Sequence, residues 1–190
     1  MSMVTPSSPV AAATPPGRED SFYEIVNGQY VEVPPMGAYE TTLASFLCLC
    51  LGQFASARRL GRCVTETLFV LDAKADRRRR PDVAFVSCDR WARGRRVPRE
   101  EAWDVVPNLA VEVVSPTNTS GADIVKLQDY FRAGVERVWV IYPDVEQVYV
   151  YASPTEVRIL ARTDALDGDP LLPGFRLPVA QVFACELEAN

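Results

Sequence analysis

The sequence predicts a domain of the α/β or α+β class, with short strands interleaved with two helices and a β-hairpin at its entrance. Three observations carry this reading. Asn27-Gly28 sits between two short alternating runs in YEIVNGQYVEV, which is the signal of a two-residue hairpin. Apolar residues then recur at helical spacing over one stretch of about 20 residues. Beyond it, short runs rich in Val, Ile, Phe and Tyr alternate with polar connections.

In chain order, residues 1–19 are Pro, Ser, Ala and Thr without periodicity, and read as a disordered tail. The tail lacks the basic start and apolar stretch of a signal peptide. After the hairpin, Leu43, Phe46, Leu47, Cys50, Leu51 and Phe54 form the stripe of an amphipathic helix from about 39 to 58. CVTETLFVL (63–71) and PDVAFVS (81–87) read as strands, followed by a polar, Arg-rich connection to about 107. NLAVEVVS (108–115) is almost continuously apolar, as in a strand covered on both faces. TNTSGADIVKLQDYFRAG has a start signal and a Gly stop, which predicts a helix from about 120 to 133. RVWVIYPD, QVYVYAS and EVRILAR add three more strands before an irregular close. At 190 residues and 48% hydrophobic content the chain supports one core, so 20–190 is expected to be a single domain.

Composition narrows the chemistry. The sequence contains no His, which removes Ser-His-Asp and Cys-His nucleophile systems and His-based zinc sites. Five cysteines without CxxC spacing read as reduced thiols of a cytoplasmic protein. No stretch is long and apolar enough for a membrane span. Chemistry must therefore rest on carboxylates, Lys, Arg, Tyr or a metal held by oxygen ligands. The net charge of −5 argues against a broadly basic nucleic-acid binder, yet nine of the 20 basic residues fall between 77 and 99. That cluster, and Arg77, Arg78, Arg79 and Arg80 in particular, can contact phosphate even on an acidic protein. A solvated loop is its other reading.

Three residues stand out against their surroundings. Asp82 follows Pro81 at the mouth of an apolar strand, where acids are depleted. Glu112 interrupts the most hydrophobic strand, and an ionised carboxylate there is costly unless paired or metal-bound. Lys126 is one of two lysines beside 18 arginines, which suggests a need for a compact ammonium. Asp123, Lys126 and Tyr130 share one face of the predicted helix, although Ser120-x-x-Asp123 also resembles a capping box. Two acids and a lysine at strand ends suit phosphodiester chemistry with a hard divalent cation.

RRPDVAFVS, LAVEVVSPTN and DIVKLQDYFRAGVERVWVIYPD together resemble the Uma-two family of restriction-endonuclease-like proteins, within the PD-(D/E)XK nuclease superfamily. The resemblance spans about Tyr23 to Leu160 and is most specific from 80 to 144. It implies a mixed β-sheet flanked by helices, DNA as substrate, and magnesium or manganese on Asp82 and Glu112. The superfamily's lysine stands two residues after the second acid, where this chain has Val114; relatives with a migrated lysine point to Lys126 instead. Glu40 is the candidate first-helix acid to complete the site, with Glu66 behind it. Glu40 equally suits a helix N-terminus. The resemblance leaves a silent relative that binds nucleic acid or a partner as the alternative, and a carboxylate-pair glycosidase as a more distant one. Cleavage of both strands at one locus would favour a homodimer.

Overall fold

The computed structural model describes residues 22–115 and 120–185, and of 120–122 only the backbone course. The expected tail (1–19) and the Pro116–Thr119 stretch lie outside the described residues. The strands are β1 (Tyr23–Val26), β2 (Gln29–Glu32), β3 (Gly61–Thr65), β4 (Leu68–Asp72), β5 (Arg77–Arg79), β6 (Val83–Ser87), β7 (Ala102–Trp103) and β8 (Leu109–Val113). These are followed by β9 (Arg137–Tyr142), β10 (Gln147–Ser153), β11 (Glu156–Leu160), β12 (Ala165–Asp167) and β13 (Arg176–Pro178). The helices are α1 (Ala38–Ala57), α2 (Ser120–Ala133) and α3 (Val179–Ala184).

The hairpin forms at Asn27-Gly28, and both residues have positive φ (52° and 76°), as a tight turn matched to strand twist requires. Six strands form the main sheet in the order β11-β10-β9-β8-β6-β3. A five-stranded sheet, β2-β1-β5-β4-β7, carries the hairpin. β8 and β9 run parallel with α2 as their crossover, which is why β8 is covered on both faces and reads as one apolar run.

Alternation along the central strands decides what faces what. Val83, Phe85, Leu109, Val111 and Val113 pack against Leu43, Leu47 and Leu51 of α1. Ala84, Val86, Ala110, Val138 and Val140 turn to the opposite face, with Leu127 and Tyr130 of α2. Glu112 is in phase with Ala110 and therefore lies beneath α2.

Two expectations are corrected. The run 63–71 is not one strand: it breaks at Glu66 (φ 45°), leaving β3 in the main sheet and β4 in the other. The arginine run at 77–79 is not a solvated loop either, because Arg77–Arg79 pair as β5 between β1 and β4. Arg79 is buried there, and acids from two other elements make that burial tolerable. No disulfide joins the cysteines, and among the described residues no helix is long and apolar enough to cross a membrane.

Candidate active site

Asp82 occupies the bend between β5 and β6. Pro81 cannot donate to a ladder, so the chain leaves the first sheet there and enters the second. The Asp82 side chain reaches across to β8, where its Oδ2 accepts the Val113 N–H at 2.6 Å. Its carbonyl accepts the Glu66 N–H at 3.2 Å, which holds the β3–β4 turn beside it. Burial pushes the Asp82 carboxyl up to about 6, against the pull of Lys126 and the Val113 hydrogen bond. The Glu66 and Glu24 carboxylates add to the upward push.

Glu112 points from β8 into the space under α2. Lys126 Nζ donates to its Oε2 at 2.7 Å, and the Tyr130 hydroxyl donates to Oε1 at 2.5 Å. Lys126 and Tyr130 lie one turn apart, so a single helix face grips both carboxylate oxygens. Burial, opposed by Lys126 and helped by Asp82 and Glu24, raises the Glu112 carboxyl to about 8. For Lys126, burial works against the charge, but Glu112, Glu24 and Asp82 override it and hold its pKa above the ordinary lysine range. Tyr130 is fully buried, and burial together with Glu112 pushes its hydroxyl well up, so it acts as a donor.

The structure thus brings Asp82, Glu112 and Lys126 together, from a bend, a strand and a helix. Glu40 stands apart from them. It lies in the first turn of α1, on the opposite side of the main sheet, and its carboxylate folds back over Gly37. Glu66 lies on the site side, close enough to act on Asp82. Asp123 lines the hollow beside Glu112, Lys126 and Tyr130, and Ser120, its expected capping partner, has no described side chain.

The arginine run is drawn largely into the protein. Arg79 Nη1 bonds Glu24 Oε2 at 2.7 Å, and its Nε and Nη2 bond Asp129 Oδ2 at 3.0 and 2.5 Å. Arg77 pairs with Asp129 at 3.2 Å, and Arg78 with Asp76 at 3.1 Å. Arg80 is held by the carbonyls of Tyr23 and Glu66 and lies over the Phe22 ring. Glu24 is the residue that sequence reasoning passed over. It is an acid in a hairpin strand, and only its placement against Arg79 and Lys126 gives it meaning.

Among the described residues, no group of three or more His, Cys, Asp or Glu is arranged to hold a metal ion. The donor chemistry of the pair Asp82 and Glu112 nevertheless fits a hard divalent cation: all oxygen, partly buried, and richer in carboxylate than Lys126 alone neutralises.

A family match covers residues 13–180 and is described as "Putative restriction endonuclease". The chain belongs to this family, Uma2. No curated protein matches the chain. Among solved structures, one described as a "putative nuclease belonging to DUF820", from Anabaena variabilis, is similar at a TM-score of 0.71 and 20% identity. The alignment covers 86% of this chain and 90% of that one. The likeness shows that this Uma2 chain has the same nuclease-like α+β fold.

Proposed function

We propose that this Uma2 protein is a divalent-metal-dependent endonuclease that hydrolyses DNA phosphodiester bonds. The observation that carries the reading is the Lys126–Glu112 contact of 2.7 Å beside Asp82. A partly buried ammonium held between acids from separate elements is the combination that phosphoryl transfer uses.

In this reading Asp82 and Glu112 hold magnesium or manganese. When bound, such an ion polarises a phosphoryl oxygen and acidifies water at neutral pH. Lys126 supplies positive charge where negative charge develops on the phosphate, and its partial burial strengthens that interaction. Tyr130 orients the Glu112 carboxylate, and Asp82 is aimed by the Val113 N–H. Glu66 is better placed than Glu40 to complete the set. Phosphate contacts outside the site fall to arginines without internal carboxylate partners, with Arg80 the member of its run nearest Asp82. We take the working unit to be a single cytoplasmic domain over 20–190, with 1–19 dispensable for it and a homodimer as the form that cuts both strands.

One observation favours the silent alternative: both Glu112 oxygens are already engaged by Lys126 and Tyr130. Incubation of purified protein with supercoiled plasmid, in magnesium, manganese or EDTA, separates the two. Nicking or linearisation that EDTA abolishes supports the nuclease. Retained DNA binding without cleavage in either metal supports the silent form.

A further inference from the structure

Glu24 does more than tie the hairpin to its neighbours. Its side chain is 5% exposed and is shared among three donors. Oε2 accepts Arg79 Nη1 at 2.7 Å. Oε1 accepts the Arg80 N–H at 2.9 Å and also stands 3.2 Å from Lys126 Nζ. Burial opposes the charge, but Lys126 and Arg79 prevail and hold the Glu24 carboxyl below the ordinary range. An acid serving only Arg79 and the Arg80 N–H would be satisfied without facing the lysine.

An ammonium has three N–H bonds to place. For Lys126 the acceptors are Glu112 at 2.7 Å, Glu24 at 3.2 Å and the Arg80 carbonyl at 3.5 Å. They come from β8, from β1 and from the residue before Pro81. Arg79 fixes the Glu24 carboxylate from behind and reaches Asp129, three residues beyond Lys126 on α2. Strand β1 and helix α2 are therefore clamped around the lysine by charge pairs that leave out Glu112.

Glu112 is the partner with two claims on it. In the nuclease reading, on which the kinetic part of this inference rests, a cation on Glu112 competes with Lys126 for the carboxylate. A lysine held by Glu112 alone would regain its rotamer freedom at that moment. We propose that Glu24 is a positioning residue for Lys126, keeping its ammonium at the site when Glu112 is engaged elsewhere.

The chain offers a direct readout because it has only two lysines, Lys126 and the exposed Lys74. Acetylation of the folded, metal-free protein by an N-hydroxysuccinimide ester, followed by mass spectrometry, gives the Lys126 rate relative to Lys74. Glu112→Gln should leave that ratio within about twofold of the parent, because Glu24 still holds the lysine. Adding Glu24→Gln to it should raise the ratio by about tenfold or more, as local protection is lost. A Glu112→Gln protein whose Lys126 is already labelled like Lys74 overturns the proposal, and this outcome stands even if Glu24 variants fail to fold. In plasmid cleavage, Glu24→Gln should lower kcat about tenfold or more with KM within about twofold. Its magnesium-induced rise in melting temperature should match the parent's. Cleavage by Glu24→Gln at the parental rate also overturns the proposal. A parent protein that never cuts refutes the nuclease reading instead, and leaves the labelling result to decide the role of Glu24.

Discussion

Tyr130 donates its hydroxyl to Glu112 Oε1 at 2.5 Å from a fully buried position, one turn along α2 from the lysine that holds the other oxygen. The carboxylate is thereby fixed in rotation as well as in position. Tyr130→Phe keeps the ring in the core and leaves one buried oxygen without its donor. We expect a loss of about 1–3 kcal/mol in stability, read by denaturant unfolding. Cleavage should fall in kcat rather than in DNA affinity. Stability equal to the parent's would mean that the hydroxyl does not serve Glu112.

Asp82→Asn tests the cation directly. Asn preserves shape and can still accept the Val113 N–H, but it lacks the charge that holds a divalent ion. The variant should melt close to the parent in EDTA. Magnesium or manganese should raise the melting temperature of the parent alone, since a ligand that binds only the folded state stabilises it by mass action. Plasmid cleavage should disappear in the variant. Full activity in Asp82→Asn, or undiminished parental activity in EDTA, refutes the nuclease reading.

Arg78 and Arg79 are neighbours with opposite consequences. Arg79 is 6% exposed and satisfies two buried acids on separate elements, Glu24 and Asp129. Arg79→Ala removes the shared partner of both, leaving Glu24 with Lys126 and the Arg80 N–H and Asp129 with Arg77. The loss should therefore approach about 3–5 kcal/mol, the cost of a broken buried pair, without exceeding it. Arg78 pairs with Asp76 at the surface, and Arg78→Ala should change stability by no more than about 0.5 kcal/mol. Thermal or urea melts of the two single variants give the comparison.

These contrasts show what was legible in the sequence. Asp82, Glu112 and Lys126 stand out locally, as an acid at a strand mouth, an acid in an apolar run and a lone helical lysine. The helix faces and the hairpin follow from periodicity and from Asn27-Gly28. The break at Glu66 was not legible, because Thr65-Glu66-Thr67 contains no Gly or Pro to announce a turn. The fate of the arginine run was not legible either. Arg79 finds its acids 50 and 55 residues away, and a count of charges cannot distinguish such an arginine from a solvated one. Glu24 was hidden for the same reason, since its partners are tertiary. Strand β5 forms despite its composition because the acids around it offset what three arginines would otherwise cost.

DNA affinity should depend on arginines left at the surface. Arg93, Arg95, Arg96 and Arg99 are exposed on the connection between β6 and β7, and Arg95 stacks on Trp91 at 3.5 Å from its ring centre. Each phosphate contact releases counterions and contributes roughly −0.9 to the slope of log affinity against log salt on duplex DNA. Replacing these four by Gln should flatten that slope and leave the melting temperature unchanged. Fluorescence anisotropy of a labelled duplex in EDTA measures binding without cleavage. An unchanged slope would mark the connection as a solvated loop.

Lys126 carries the most specific expectation. Its ammonium lies between Glu112 and Glu24, where the proposed nuclease chemistry would need compact positive charge in the transition state. Lys126→Ala should therefore lower kcat by a factor of about 100 or more while changing DNA binding little, because the interaction strengthens mainly in the transition state. Folding need not suffer equally, since the side chain is 16% exposed and water can reach the space it leaves. Lys126→Arg keeps the charge but should not restore the rate. The planar guanidinium is wider and cannot place one donor toward each of Glu112, Glu24 and the Arg80 carbonyl. Single-turnover cleavage of a plasmid by parent, Ala and Arg proteins at saturating magnesium gives the measurement. Parental kcat in the Ala protein, or rescue in the Arg protein, would remove Lys126 from the chemistry.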